Sequence, residues 1–254
     1  MGTEKRDRQR ANRQLKYQQQ AKEVQRKRLT KRFVLGAVAV VGLLAVVLFL
    51  AWLGNRGDDD DSAPTTGFEY GTGECPPADV TEPVKTFDDA PQQCIDPEKS
   101  YTATFVTDRG DIEVELDTTN SPGTVNNFVT LARYGYYDAT TIFRTNTSID
   151  IIQGGGQTNE DTPGYDIPDE GTGYEYPPGV LAMARTAAPN SAGGQWFFTT
   201  GPNSASLADT GTYVVFGTVT AGSDIAAEIN ALAGPDGDTP TETVNVETVE
   251  ITES

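Results

Sequence analysis

The sequence predicts a mostly β domain, an antiparallel barrel whose ends are covered by helices, and two patterns carry that prediction. Short apolar runs separated by turn residues recur from residue 101 to residue 251, whereas only two stretches keep a helical period. Many short strands and two helices within about 150 residues bury their apolar faces best when the sheet closes on itself. No internal repeat interrupts the pattern.

The first strand is expected at Tyr101–Thr107 and the second at Asp111–Asp117, joined by the turn Asp108-Arg109-Gly110. Asn120-Ser121-Pro122 reads as a helix start, a capping side chain followed by proline near the first turn. Val125, Phe128, Val129 and Ala132 then share one helical face, and the helix stops at Tyr134-Gly135. Apolar runs follow at Thr140–Thr145, Asp150–Gln153, Val180–Ala184, Gln195–Thr200 and Tyr213–Val219. A second helix is expected at Asp224–Leu232, with Ser223 as its cap and Gly234 as its stop. An alternating strand, Val244–Ile251, closes the domain.

Charge divides the 254 residues sharply. Residues 1–32 hold 12 Lys and Arg against 3 Asp and Glu, and the remainder holds 7 against 34. Between arm and body, Phe33–Gly54 is uncharged and apolar on every face. Roughly 20 helical residues cross the bilayer core, so this run reads as a single transmembrane anchor rather than a buried helix. A cleaved signal peptide fits less well, because the basic region is over-long and no clear A-x-A site follows. The basic arm at 1–32 places the N-terminus in the cytoplasm and the acidic body outside the cell membrane. Residues 55–99, with the run Asp58–Asp61, read as an extended acidic linker before a domain at 100–254. Cys75 and Cys94, both on the expected outer side, are expected to form one disulfide within that linker.

The acidic body, whose only lysines are Lys85 and Lys99, argues against nucleic-acid partners. No histidine is present, which excludes Ser-His-Asp and Cys-His catalysis and histidine-ligated zinc. The triplet Gly154–Gly156 lacks the spacing of a dinucleotide-binding turn, and no P-loop occurs. Neither metal nor cofactor is expected, so the chemistry falls to arginine, amides, carboxylates or backbone.

Four segments carry a family resemblance. They are Tyr136–Arg144, Gln153-Gly154-Gly155, the stretch Met183–Phe198 with Pro189-Asn190-Ser191 inside it, and Val214-Val215-Phe216-Gly217. In this order they resemble cyclophilin-type peptidyl-prolyl isomerases, in the membrane-anchored form similar to actinobacterial members, from Thr102 to about Glu250. The resemblance implies a closed eight-stranded antiparallel barrel capped by two helices. It also implies isomerisation of X-Pro bonds in exported or unfolded proteins by a monomer. Arg144 and Gln153 are the implied catalytic residues. Phe197 would floor the proline pocket between Ile151 and Leu207, with Gln195, Ala184, Arg185 and Tyr213 as further substrate contacts. Alternation along the strand turns Trp196 and Phe198 away from Phe197, towards the core. Asn190 and Ser191 read as turn formers.

The chemistry suits these residue types. Rotation about X-Pro meets a barrier of about 20 kcal/mol because the nitrogen shares its lone pair with the carbonyl. A donor aimed at that nitrogen favours the pyramidal transition state over either planar isomer. A guanidinium is charged at every physiological pH, and no nucleophile is required. Three departures from the family pattern mark the groove. Phe143 replaces a histidine beside the arginine. Asp150 stands where an aromatic wall is usual, unless Ile149 shifts into its place across a loop one residue longer. Ser206 and Tyr213 stand where many members carry tryptophan and histidine. These departures predict weak cyclosporin inhibition, and they motivate an alternative: a catalytically weak or inactive peptide-binding or chaperone module of the cell envelope.

Overall fold

A computed structural model describes residues 68–254. The basic arm at 1–32, the span expected at 33–54 and residues 55–67 of the expected linker lie outside the described residues. Among the described residues, no helix is long and apolar enough to cross a membrane.

The alternating segments become strands close to where the sequence places them. In chain order the elements are β1 (Tyr101–Thr107), β2 (Gly110–Leu116), α1 (Pro122–Arg133), β3 (Thr140–Thr141), β4 (Arg144–Asn146) and β5 (Ile151–Gly154). There follow β6 (Val180–Arg185), β7 (Ala192–Thr199), a 3-10 helix (Pro202–Asp209), β8 (Val215–Ala221), α2 (Ser223–Asn230) and β9 (Asn245–Glu253). All pairings are antiparallel, in the order β3-β9-β1-β2-β8-β6-β7-β5-β4, and the sheet curls into a half-barrel.

This corrects the expected eight strands in a closed barrel with two helices. The run Thr140–Thr145, expected as one strand, divides: Thr140-Thr141 pairs with β9, whereas Arg144–Asn146 pairs with β5. Ile142 and Phe143 carry the chain from one edge of the sheet to the other. The third helix, Pro202–Asp209, buries only Ser204 and Leu207, so it shows no apolar period in the sequence.

The interior follows the alternation. Tyr101, Ala103 and Phe105 of β1 point into the main core, where the Phe105 ring centroid lies 4.9 Å from that of Trp196, 5.0 Å from Phe198 and 5.7 Å from Phe128. Edge-to-face and tilted packing of this kind adds to the area term for burying large rings. Helix α1 is buried from Gly123 to Ala132, more than the single face its spacing suggests. Its cap also differs. The Ser121 hydroxyl donates to the Val215 carbonyl at 2.8 Å. The Glu170 carboxylate instead accepts from the amides of Gly123 (3.0 Å) and Thr124 (2.9 Å). An anion at that end meets the positive pole of the helix. Likewise α2 is capped by Gly222, at φ 79°, and Ser223 is its first residue.

The described part of the expected linker, residues 68–99, is a strap laid on the domain rather than a free tether. Ala90 and Ile95 join the main core, and Phe68 and Phe87 pack against it. A side chain at Gly123 would collide with the Phe68 ring, at 2.0 Å from a Cβ, so this glycine admits the strap. Polar contacts fasten the strap. The Asn126 side-chain oxygen accepts from the amides of Cys94 (2.6 Å) and Ile95 (3.1 Å), and Lys85 Nζ donates to the carbonyls of Gly135, Tyr136 and Asp138. Cys75 and Cys94 form the expected disulfide.

Candidate active site

The register of four neighbouring strands assembles the centre. Arg144 of β4 lies opposite Gln153 of β5, Gln153 opposite Phe197 of β7, and Phe197 opposite Ala182 of β6. Because side chains alternate along a strand, Trp196 and Phe198 enter the main core while Phe197 enters a second, separate apolar cluster, as the sequence predicts. That cluster holds Ile151, Tyr176, Ala182, Phe197 and Leu207, with Ile149, Tyr213 and Val215 among its half-buried margin. The three expected pocket residues Phe197, Ile151 and Leu207 therefore do come together. Leu207 arrives on the 3-10 helix, and Ser206 beside it is exposed.

Tyr213 faces Phe197 edge-on, with ring centroids 5.5 Å apart. Tyr176 fixes it: the Tyr176 hydroxyl accepts from the Tyr213 amide at 2.8 Å and donates to the Tyr213 carbonyl at 3.0 Å. Burial pushes the Tyr176 hydroxyl pKa up, so it stays a neutral donor. Sequence reasoning missed Tyr176 and Ala182. Tyr176 sits in a loop among glycines and prolines with no period to mark it, whereas Ala182 could be found as the position two before Ala184 on the same strand.

A chain of amides borders the apolar cluster. The Arg144 Nη1 donates to Gln153 Oε1 at 3.1 Å, and Gln153 Nε2 donates in turn to Gln195 Oε1 at 2.9 Å. Gln195 Nε2 donates to the carbonyls of Asn159 (3.0 Å) and Asp161 (2.9 Å). Gln195 is thus spent on holding the Asn159–Asp161 loop and the Gln153 amide. The Arg144 side chain remains about a third exposed, at 32 %, and its Nε donates to Asp238 Oδ1 at 2.6 Å.

Ala184 lies at the bulge between Met183 and Arg185 and, with Gln153 and Gln195, lines a cavity of about 310 Å³. Arg185 is folded back: it donates to the carbonyls of Thr212, Thr186 and Ala188, and its guanidinium carbon stacks 5.4 Å from the Tyr213 ring centroid. In this structure it clamps the loops beside the groove, and it lines the same cavity as Ala184. Asn190, at φ 55°, and Ser191, bonded to Thr186, shape the turn expected of them.

The ambiguity at the groove wall is decided. Asp150 adopts φ 46° and turns its carboxylate to the Asn203 amide at 2.8 Å, and Ile149 packs against the apolar cluster. Of the two residues, Ile149 and not Asp150 therefore borders the apolar cluster. Phe143, at the break between β3 and β4, belongs to neither apolar cluster.

The family profile described as cyclophilin type peptidyl-prolyl cis-trans isomerase matches residues 102–251, more than half of the chain. The chain belongs to the cyclophilin-type peptidyl-prolyl cis-trans isomerase family. Among cyclophilins, peptidyl-prolyl cis-trans isomerase B of Escherichia coli strain K12 is 35% identical over 164 residues, 59% of this chain and 99% of that one. A peptidyl-prolyl cis-trans isomerase of Acinetobacter baylyi is 37% identical over 48% of this chain and 68% of its own. A longer relative, peptidyl-prolyl cis-trans isomerase-like 2 of Rhizopus delemar, is 29% identical across 75% of this chain, which spans only 38% of that protein. In structure, a cyclophilin-type isomerase of Cryptosporidium parvum superposes with a TM-score of 0.53 at 27% identity, covering 61% of this chain and 99% of that one. That parasite cyclophilin was also solved in the presence of the dipeptide Ala-Pro, and this form gives a TM-score of 0.52.

Proposed function

We propose that this cyclophilin domain catalyses cis-trans isomerisation of X-Pro bonds in exported proteins, acting as a monomer outside the cytoplasmic membrane and tethered by residues 33–54. The observation that carries the reading is the register-fixed adjacency of Arg144, Gln153 and Phe197. The apolar cluster of Phe197, Ile151 and Leu207 accepts a pyrrolidine ring, which has no donor to satisfy. Arg144, held by Gln153, donates to the prolyl nitrogen as its lone pair leaves conjugation with the carbonyl. The stabilisation exists only when the amide is twisted, so it acts on the transition state and not on either isomer.

Location rests on the sequence: a basic arm, an apolar run and an acidic body that carries a disulfide suit an anchored domain in an oxidising compartment. Isomerisation of an X-Pro peptide by the purified full-length chain, followed by exchange NMR, tests the activity. Arg144→Ala is expected to lower kcat/KM at least about 100-fold, since removing one transition-state donor costs roughly that much, with the fold intact by circular dichroism. Equal rates in the two proteins would remove Arg144 from the mechanism. Peptide binding without acceleration by the wild type would favour the chaperone-module alternative.

A further inference from the structure

Building on the isomerase reading of this site, we propose that Asp238 is a positioning residue that sets the orientation of the Arg144 guanidinium. A guanidinium offers five N–H donors in one plane. Gln153 Oε1 accepts from Nη1 at 3.1 Å, and Asp238 Oδ1 accepts from Nε–H at 2.6 Å. Acceptors on two different nitrogens fix both the plane and its rotation, which one hydrogen bond cannot do. The unused Nη donors are then directed by construction rather than by chance.

The chain holds Asp238 firmly for an exposed residue. Asp236 Oδ1 accepts from the amides of Asp238 and Thr239, each at 3.0 Å. These bonds, from Thr239 first and Asp238 second, hold the Asp236 carboxyl below the usual carboxylate range. The turn closes through Gly237 N–H to the Gly234 carbonyl (2.9 Å) and Gly234 N–H to the Thr239 carbonyl (2.8 Å). It is then bonded to β4 beyond Arg144 itself. The Thr145 amide donates to the Asp238 carbonyl at 3.0 Å, and Asn146 Nδ2 donates to Asp238 Oδ1 at 3.2 Å. Three consecutive residues of β4 thus grip Asp238. The Asp238 side chain is 53 % exposed, and ion pairs so exposed contribute little to stability. The role consistent with this wiring is orientation.

A positioning role and a brake on the arginine predict opposite results. If Asp238 positions Arg144, Asp238→Ala lowers kcat by about tenfold, because small misplacement of a reacting group costs rate steeply, while KM for the peptide stays within about twofold. Asp238→Asn keeps an acceptor and recovers most of the rate. In an Arg144→Ala background, Asp238→Ala changes nothing further. Unchanged or raised kcat in Asp238→Ala overturns the proposal. So does a loss that persists without Arg144, because that would mark a general structural effect. NMR of the full-length chain labelled at arginine Nε supplies a readout independent of turnover: the Arg144 Nε–H signal should be protected from exchange in the wild type and lost in Asp238→Ala. A wild type without activity would sink the isomerase reading, whereas an Nε–H signal equally protected in both proteins would sink the anchoring by Asp238.

Discussion

Asp150 shows how one residue decides the shape of a site. Its φ of 46° lies in the left-handed region, which Asp tolerates and β-branched residues do not. Its carboxylate also fills the space beside Gly201, where a Cβ would come within 2.5 Å of Asp150 Oδ2. Asp150→Val is therefore expected to destabilise the domain by roughly 1–3 kcal/mol and to displace Ile149 from the apolar cluster. Denaturant unfolding together with kcat/KM checks this, and Asp150→Asn, which tolerates the same backbone, serves as the control. At this scale the sequence was informative about Arg144, Gln153, Phe197 and the turning of Trp196 and Phe198 away from Phe197 into the main core. It was silent on Asp238, because 94 positions separate that residue from Arg144 and no local pattern links them.

Among elements, the strap at 68–99 changes most between sequence and structure. Its Pro, Asp and Thr content reads as a linker, and it does lack regular strands. Burial of Ala90 and Ile95, and the Asn126 bonds to Cys94 and Ile95, make it part of the folded unit. The disulfide spans a sequence separation of 19, and closing a loop of that size contributes about 3 kcal/mol in the chain-entropy model. Replacing Cys75 and Cys94 together by serine is expected to lower the melting temperature by roughly 6–12 °C, read by calorimetry. A change confined to faster amide exchange in the strap would show instead that it opens without the domain. The helix caps make the same point on a smaller scale: Ser121 sits where a cap belongs, but a remote carboxylate, Glu170, performs the task.

At the scale of the whole described domain, one carboxylate ties three separate elements together. Glu253 of β9 bonds Lys99 at the end of the strap (2.5 Å) and Arg133 at the end of α1 (2.7 Å). The Lys99 bond first, then the Arg133 bond, lowers its pKa from 4.5 to about 2. A carboxyl depressed in the folded state stabilises the fold above its unfolded pKa and loses that contribution as the pH falls through the folded value. The stability difference between wild type and Glu253→Gln should accordingly be full above pH 4.5 and vanish near pH 2. Acid-titrated urea unfolding measures it, and a difference that persists at pH 2 would assign the effect to packing. The described domain carries 30 Asp and Glu against 6 Lys and Arg, so each such bridge is made by one of few cations.

The sequence by itself determined the β-rich class, the order and faces of the main strands, both α-helices and the cyclophilin motifs. These depend on period and turn chemistry, which are local. Only the tertiary structure decided the division of Thr140–Thr145 into two strands, the docking of the strap, the choice of Ile149 over Asp150 at the groove wall, and the grip of Asp238 on Arg144. Each of these depends on which distant segment happens to lie opposite, and pairing across a curled sheet leaves no trace in the spacing of nearby residues.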